Sequence, residues 1–149
     1  MTYTSPEALM LQQLKTIVDG VSWVKTVRVV DPVIAASQVS EYEVPFVQIT
    51  PQEQPMTAER NDAIVRWAIL VELVLLSDVD HPVDPYELYD KVNDLWRAFG
   101  EGYRLNSVVS GIIGLYPIGA SVDLHLVKPY YIGQLLFELQ YRKAYVHPC

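Results

Sequence analysis

Between Asp62 and Leu76 the chain alternates with the two-residue period of a strand. Val65, Trp67, Ile69, Val71, Leu73 and Leu75 form one apolar row. Ile64, Arg66, Ala68, Leu70, Glu72 and Val74 form a mixed one. The run is more than twice the common strand length of roughly five to six residues. One face must therefore be core, and the other is expected to be part solvent and part contact. After Ser77-Asp78-Val79-Asp80-His81-Pro82-Val83 the period changes. Leu88, Val92, Leu95 and Phe99, flanked by Tyr89 and Trp96, fall on one helical stripe. Asp84 supplies a cap, Pro85 suits the first helical position, and Glu87 three residues on makes a variant capping box. Gly100 and Gly102 stop the helix.

The remaining segments fall around this unit. Ser5-Pro6-Glu7 starts a first helix whose apolar positions are Met10, Leu11, Leu14, Ile17 and Val18, with Gly20 at its end. Trp23–Val30 reads as a strand ending at the Asp31-Pro32 turn signal, and Val33–Val44 has no clear period. Pro45–Pro51 is a short strand bracketed by prolines, which suits an edge or an abrupt entry and exit. Gln52–Asn61 is polar and interrupted by proline, so an exposed arm is expected there. Leu105–Tyr116, with Gly111 and Gly114, predicts a bent or bulged strand. Pro117–Pro129 is expected to be a second loop with a short alternating piece at Val122–Leu126. Gly133–Tyr145 closes the chain as a long strand with Leu135, Phe137, Leu139 and Tyr141 inward, and Val146–Cys149 is expected to be free. Few strands are separated by helices. The order predicts a single α+β domain over 1–149, ordered from 5 to 145, with a mainly antiparallel sheet and two helices on one face.

Composition adds a hint of assembly. Half of the residues are hydrophobic, ten are tyrosine, and only 19% are charged, against a usual level of about 25%. A chain this apolar has more than one surface to bury. The formal net charge of −7 argues against binding nucleic acid through its phosphates. No apolar run reaches the length of a membrane-spanning helix, and the first twenty residues lack the pattern of a signal peptide. With Cys149 as the one cysteine, no internal disulfide is possible, which fits a reducing cytosol.

The search for chemistry returns little. Asp78, Asp80, His81 and Asp84 could hold a hard cation, but the central glycine and terminal bidentate glutamate of a calcium loop are missing, and Asp84 is already explained as a cap. Cys149, the scattered serines, and His81, His125 and His147 make no recognisable nucleophile and base pattern. Gly111-Ile112-Ile113-Gly114 has the spacing of an RNA-clamping loop without its basic neighbours, so strand glycines are the better reading. Glu41 and Glu43 lack apolar shelter for acid–base work. Neither a catalytic residue, a metal ligand nor a cofactor site is expected. A small acidic ligand- or metal-binding α+β enzyme domain is the rival reading, and an adaptor that dimerises through the long strand is another.

The order of these elements resembles the tail terminator proteins of long-tailed bacteriophages, also called tail completion or tail-to-head joining proteins. The likeness rests on the first helix at Pro6–Asp19, the Pro45-Phe46-Val47-Gln48-Ile49 strand, the polar arm, and the long strand ending near Ser77-Asp78. The helix opening Asp84-Pro85-Tyr86-Glu87-Leu88-Tyr89 and the closing Phe137-x-Leu139-x-Tyr141-Arg142 strand complete it, over residues 6–145. The resemblance implies a virion protein, assembled in the host cytoplasm, that caps the tail tube as a homo-oligomeric ring of six copies. Such a ring ends tube polymerisation and presents the docking surface for the head connector, without an active site. Another neck or connector ring, or a tail-tube subunit, is the near alternative. Its partners would be further copies of itself, the tail tube protein and the head completion protein. DNA would pass through the lumen without specific binding, and six copies at −7 each carry about −42 to keep it from sticking. Contacts to neighbouring subunits or the tube are expected at Gln52, Glu53, Gln54, Met56, Glu59, Arg60, Arg66, Glu72, Tyr130 and Tyr131.

Overall fold

The computed structural model describes residues 5–31, 33–40, 42–52, 64–76, 84–100, 102–127, 130–143 and 146–149. It is an α+β fold. Helix α1 (Pro6–Asp19) is followed by β1 (Thr26–Val29), β2 (Phe46–Pro51), the long β3 (Ile64–Leu76) and helix α2 (Pro85–Phe99). Then come β4 (Val109–Ser110), β5 (Ile112–Val127), β6 (Tyr130–Arg142) and β7 (His147–Pro148). Five strands form the main sheet in the order β1-β2-β3-β6-β5, antiparallel except for the β1–β2 pair.

Register explains the core. Val65, Trp67, Ile69 and Val71 of β3 stand opposite Tyr141, Leu139, Phe137 and Leu135 of β6. All eight are buried on the face that receives the helices. From α1 come Met10, Leu14, Ile17 and Val18, and from α2 Leu88, Val92, Leu95 and Phe99, as the two helical stripes predict. Phe99 and Trp96 meet the Phe137 ring at centroid distances of 4.9 and 5.8 Å. At Gly133 the helix comes so close that an added Cβ would lie 2.6 Å from Val92 Cγ2.

Caps and pins fix the helices. The Ala8 N–H donates to Ser5 Oγ at 3.2 Å, and the Tyr86 N–H donates to Asp84 Oδ1 at 2.9 Å. Glu87 pairs instead with Lys91 at 3.2 Å, one turn on. Lys91 also stacks over the Trp23 ring, 4.8 Å from its centroid, while the Trp23 indole N–H donates to Asp94 at 3.0 Å. Those contacts tie the α1–β1 connection to α2. On the other side, Tyr141 donates to Glu7 Oε1 at 3.2 Å and Lys143 pairs with the same carboxylate.

Three expectations need correction. The predicted loop at 117–129 is strand up to Val127, because β5 pairs with β6 through register shifts that absorb its prolines and glycines. The tail is not free: Val146 is buried, β7 pairs with β4, and the Cys149 N–H donates to the Val108 carbonyl at 3.0 Å. The first strand is shorter than predicted, starting at Thr26 and leaving Trp23 in a turn. The period-free stretch before β2 contains a 3-10 turn at Ala36–Gln38.

Candidate interaction surface

The sheet face away from the helices divides into two unlike halves. At the end near Leu76, Ile34, Ala36, Val39 and Val44 pack onto Phe46, Val74, Tyr130 and Ile132 as a second, smaller core. The stretches 33–40 and 42–44 thus lie across the sheet as a strap. Tyr130 anchors it by donating to the Val39 carbonyl at 3.0 Å, and Arg28 reaches Glu43 at 2.7 Å.

A polar row marks the strap's border. Gln48, Glu72, Gln134 and Ser121 occupy matching register positions across β2, β3, β6 and β5. The Gln48 amide imitates a peptide: its Oε1 accepts from the Ile34 N–H and its Nε2 donates to the Ile34 carbonyl, both at 2.8 Å. Its nitrogen also donates to Glu72 Oε1 at 2.9 Å, and Gln134 Nε2 donates to Glu72 Oε2 at 2.9 Å. Gln48 and Glu72 are 0% and 6% exposed, and buried polar groups persist at such sites because each finds a partner.

Beyond this row nothing in the described chain covers the sheet. Leu70, Leu136, Gly119, Ala120, Ser121 and Gln134 line a shallow depression of about 260 Å³. Past it, Arg66 and Ala68 of β3 stand beside Gln140 and Glu138 of β6, and Tyr116 lies opposite Glu138 on β5. Arg66 and Tyr116 are exposed, while Ala68, Leu70, Leu136 and Glu138 are half-buried. The Glu138 carboxylate accepts from Gln140 Nε2 at 2.6 Å. Among the described residues Arg66 has no ion-pair partner.

The sheet edges look different. β1 has four residues, and β5 breaks its register with β6 around Ile113 and Ile118 and carries Pro117 on its length. Short strands, bulges and prolines are the devices that discourage edge-to-edge pairing. The open half-face has no such guard.

The predicted contact residues separate accordingly. Arg66 lies on the open half-face, and Gln52 is exposed just after β2, its carbonyl accepting from the Trp67 indole at 2.8 Å. Glu72 is a correction: it is buried inside the polar row, because a carboxylate flanked by two glutamine amides is held within the sheet. Tyr130 is half-buried with its hydroxyl donating to the strap, and Tyr131 is half-buried against the main core. Glu53, Gln54, Met56, Glu59 and Arg60 lie outside the described residues, as do Asp78, Asp80 and His81. The polar row itself was missed. Its signal is present, since Gln48 and Glu72 each interrupt an apolar run that a buried strand tolerates only when a neighbour satisfies them.

The chemistry of the described residues is sparse. No group of three or more His, Cys, Asp or Glu among them is arranged to hold a metal ion. Ser110 Oγ lies 3.0 Å from His147 Nδ1 and 2.8 Å from Nε2. Nearly equal distances place it alongside both nitrogens, off the in-plane line to either lone pair that a base needs to take its proton. The Cys149 thiol donates to the Asn106 carbonyl. Among the described residues no helix is long and apolar enough to cross a membrane. No protein-family model matches the chain, and no curated protein does.

Proposed function

We propose that the chain is a structural ring subunit of a phage tail, capping the tail tube as a terminator and offering its far side to the head connector. The observation that carries this reading is the half-covered sheet face. Among the described residues, one half is sealed by the strap up to a polar row, and on the other half Arg66 and Tyr116 are exposed beside half-buried Leu70 and Leu136. A domain of this size that leaves such a surface open is suited to assembly. The α+β order also agrees with the family likeness drawn from the sequence. In this reading the ring, of six copies, sits in the virion neck, its net charge of −7 per copy keeps passing DNA from adhering, and no reaction is catalysed.

Light scattering after size exclusion, with and without phage tail tubes, tests the reading. The expected result is a ring mass, either free or appearing when tubes are supplied. A subunit that stays monomeric and ignores tube ends removes it.

A further inference from the structure

We infer that the outer stripe of α2 is the face by which one copy enters the next, with its Tyr86 seated in the cleft between α1 and the β1 edge. The inference deepens the assembly reading and takes from it only the existence of a second copy. Ala8, Leu11, Gln12 and Lys15 of α1 and Val29 of β1 line a cleft of about 380 Å³ at one edge of the sheet. β1 has four residues, too short an edge to favour an added strand, so a helix is the better occupant. Tyr86 and Tyr89 of α2 are 81% and 52% exposed, and three residues apart they share one stripe. That stripe lies on the flank away from the cleft. α1 covers β1 and β2, whereas α2 covers β6 and β5, and Lys91 and Asp94 are the α2 residues turned toward the α1–β1 connection. The two patches are unlike and sit on opposite flanks. One copy therefore meets the next head to tail, as a closed ring requires.

Charge selects a second copy as the occupant. Along α1, Lys15 is followed by Asp19, and along α2, Asp90 is followed by Arg97. All four are exposed and, among the described residues, none has an ion-pair partner. The two orders are opposite in sign. With the helices parallel and Asp90 set against Lys15, Tyr86 falls opposite Leu11, each four residues earlier. Arg97 then overshoots Asp19 by three residues, about 4.5 Å along the axis, which an arginine side chain spans. An aromatic anchor in a pocket, ringed by charge pairs, carries most of an interface's energy, so strength here follows from Tyr86 rather than from area. Each copy in a ring makes the contact twice, once with its cleft and once with its stripe.

Sedimentation velocity on Lys15→Glu, Asp90→Lys and the chain carrying both substitutions tests the contact. Each single variant sets like charges against each other and should associate at least about tenfold more weakly than the natural chain. In the double variant cleft and stripe change sign together, and association should return. Tyr86→Ala removes the anchor and should weaken association at least about tenfold. A natural chain that stays monomeric up to about 1 mM, single variants that associate normally, or a double variant that fails to recover each overturns the inference. Circular dichroism checks that each variant folds. Carbodiimide coupling of mixed unlabelled and isotope-labelled natural chains needs no variant: a Lys15–Asp90 amide joining the two labels supports the contact, and its absence overturns it. The two readings fail separately. Charge-dependent association without tube binding retires the terminator role alone, whereas tube capping indifferent to these substitutions retires this contact alone.

Discussion

Substituting alanine for Gly133 probes how tightly α2 is seated on the sheet. An ideal Cβ there lies 2.6 Å from Val92 Cγ2 and 3.9 Å from Leu73 Cβ and Leu88 Cδ1. Carbon atoms pack best at about 3.5–4.0 Å, so the Val92 methyl must withdraw by roughly 1 Å. Valine in a helix has essentially one χ1 rotamer, and the retreat falls on the helix itself. Overpacking of this kind costs about 1–3 kcal/mol. Alanine returns about 0.5–1 kcal/mol by restricting the unfolded chain and favouring the strand. The net expectation is destabilisation by about 0.5–2 kcal/mol, or a few degrees in Tm for a domain of this size. Val92→Ala removes the offending methyl and leaves a small cavity, costing about 1.5–3 kcal/mol alone. Together the two changes should cost less than their sum by about 1 kcal/mol or more. Urea unfolding of the four proteins followed by circular dichroism measures this cycle. A Gly133→Ala variant as stable as the natural chain, with no coupling to Val92→Ala, would show that α2 does not sit where the register places it.

Four further outcomes follow from the polar contacts. Glu72→Leu takes one of two acceptors from the Gln48 amide and the Glu72 acceptor from Gln134, and should destabilise by about 1–3 kcal/mol, measured by urea unfolding, with faster hydrogen exchange at the Ile34 amide. Burial first, and the Glu7 carboxylate second, raise the Tyr141 hydroxyl above its ordinary 10.0. A raised pKa means that stability is intact below about pH 10 and lost as the pH climbs past it, so Tyr141→Phe should flatten the alkaline limb of a Tm–pH profile. For Glu7, burial pulls the pKa upward, but contacts with Lys143 and Tyr141 outweigh it and leave it below 4.5. Its contribution is present above that value and fades as the pH falls further, and Glu7→Gln should flatten the acid limb. Asp84→Ala removes the acceptor at the start of α2 and should cost about 1 kcal/mol in the same unfolding assay.

Much of the architecture was legible because burial and periodicity coincide. The odd row from Val65 to Leu75 and the stripe from Leu88 to Phe99 are the two halves of the main core. Ser5 and Asp84 cap where the sequence places them. Reading failed where tertiary partners decide local structure. β5 carries Pro117, Gly114 and Gly119, residues that mark loops in isolation, yet pairing with β6 and its register shifts keep them in strand. The strap has no period of its own because Gln48, Tyr130 and the second core hold it from outside. Glu72 was expected at a subunit contact because a charged residue in a strand suggests solvent. Only the cross-strand register places two amides against it. Arg66 survives as a surface residue, and Glu138, the charge next to it in space, is more than seventy positions away in sequence.

The most direct test of the central claim is electron microscopy of phage tail tubes polymerising with and without the protein. The account predicts rings seated at one tube end and growth arrested there. Tubes that keep lengthening with bare ends, in the presence of folded protein, would contradict it.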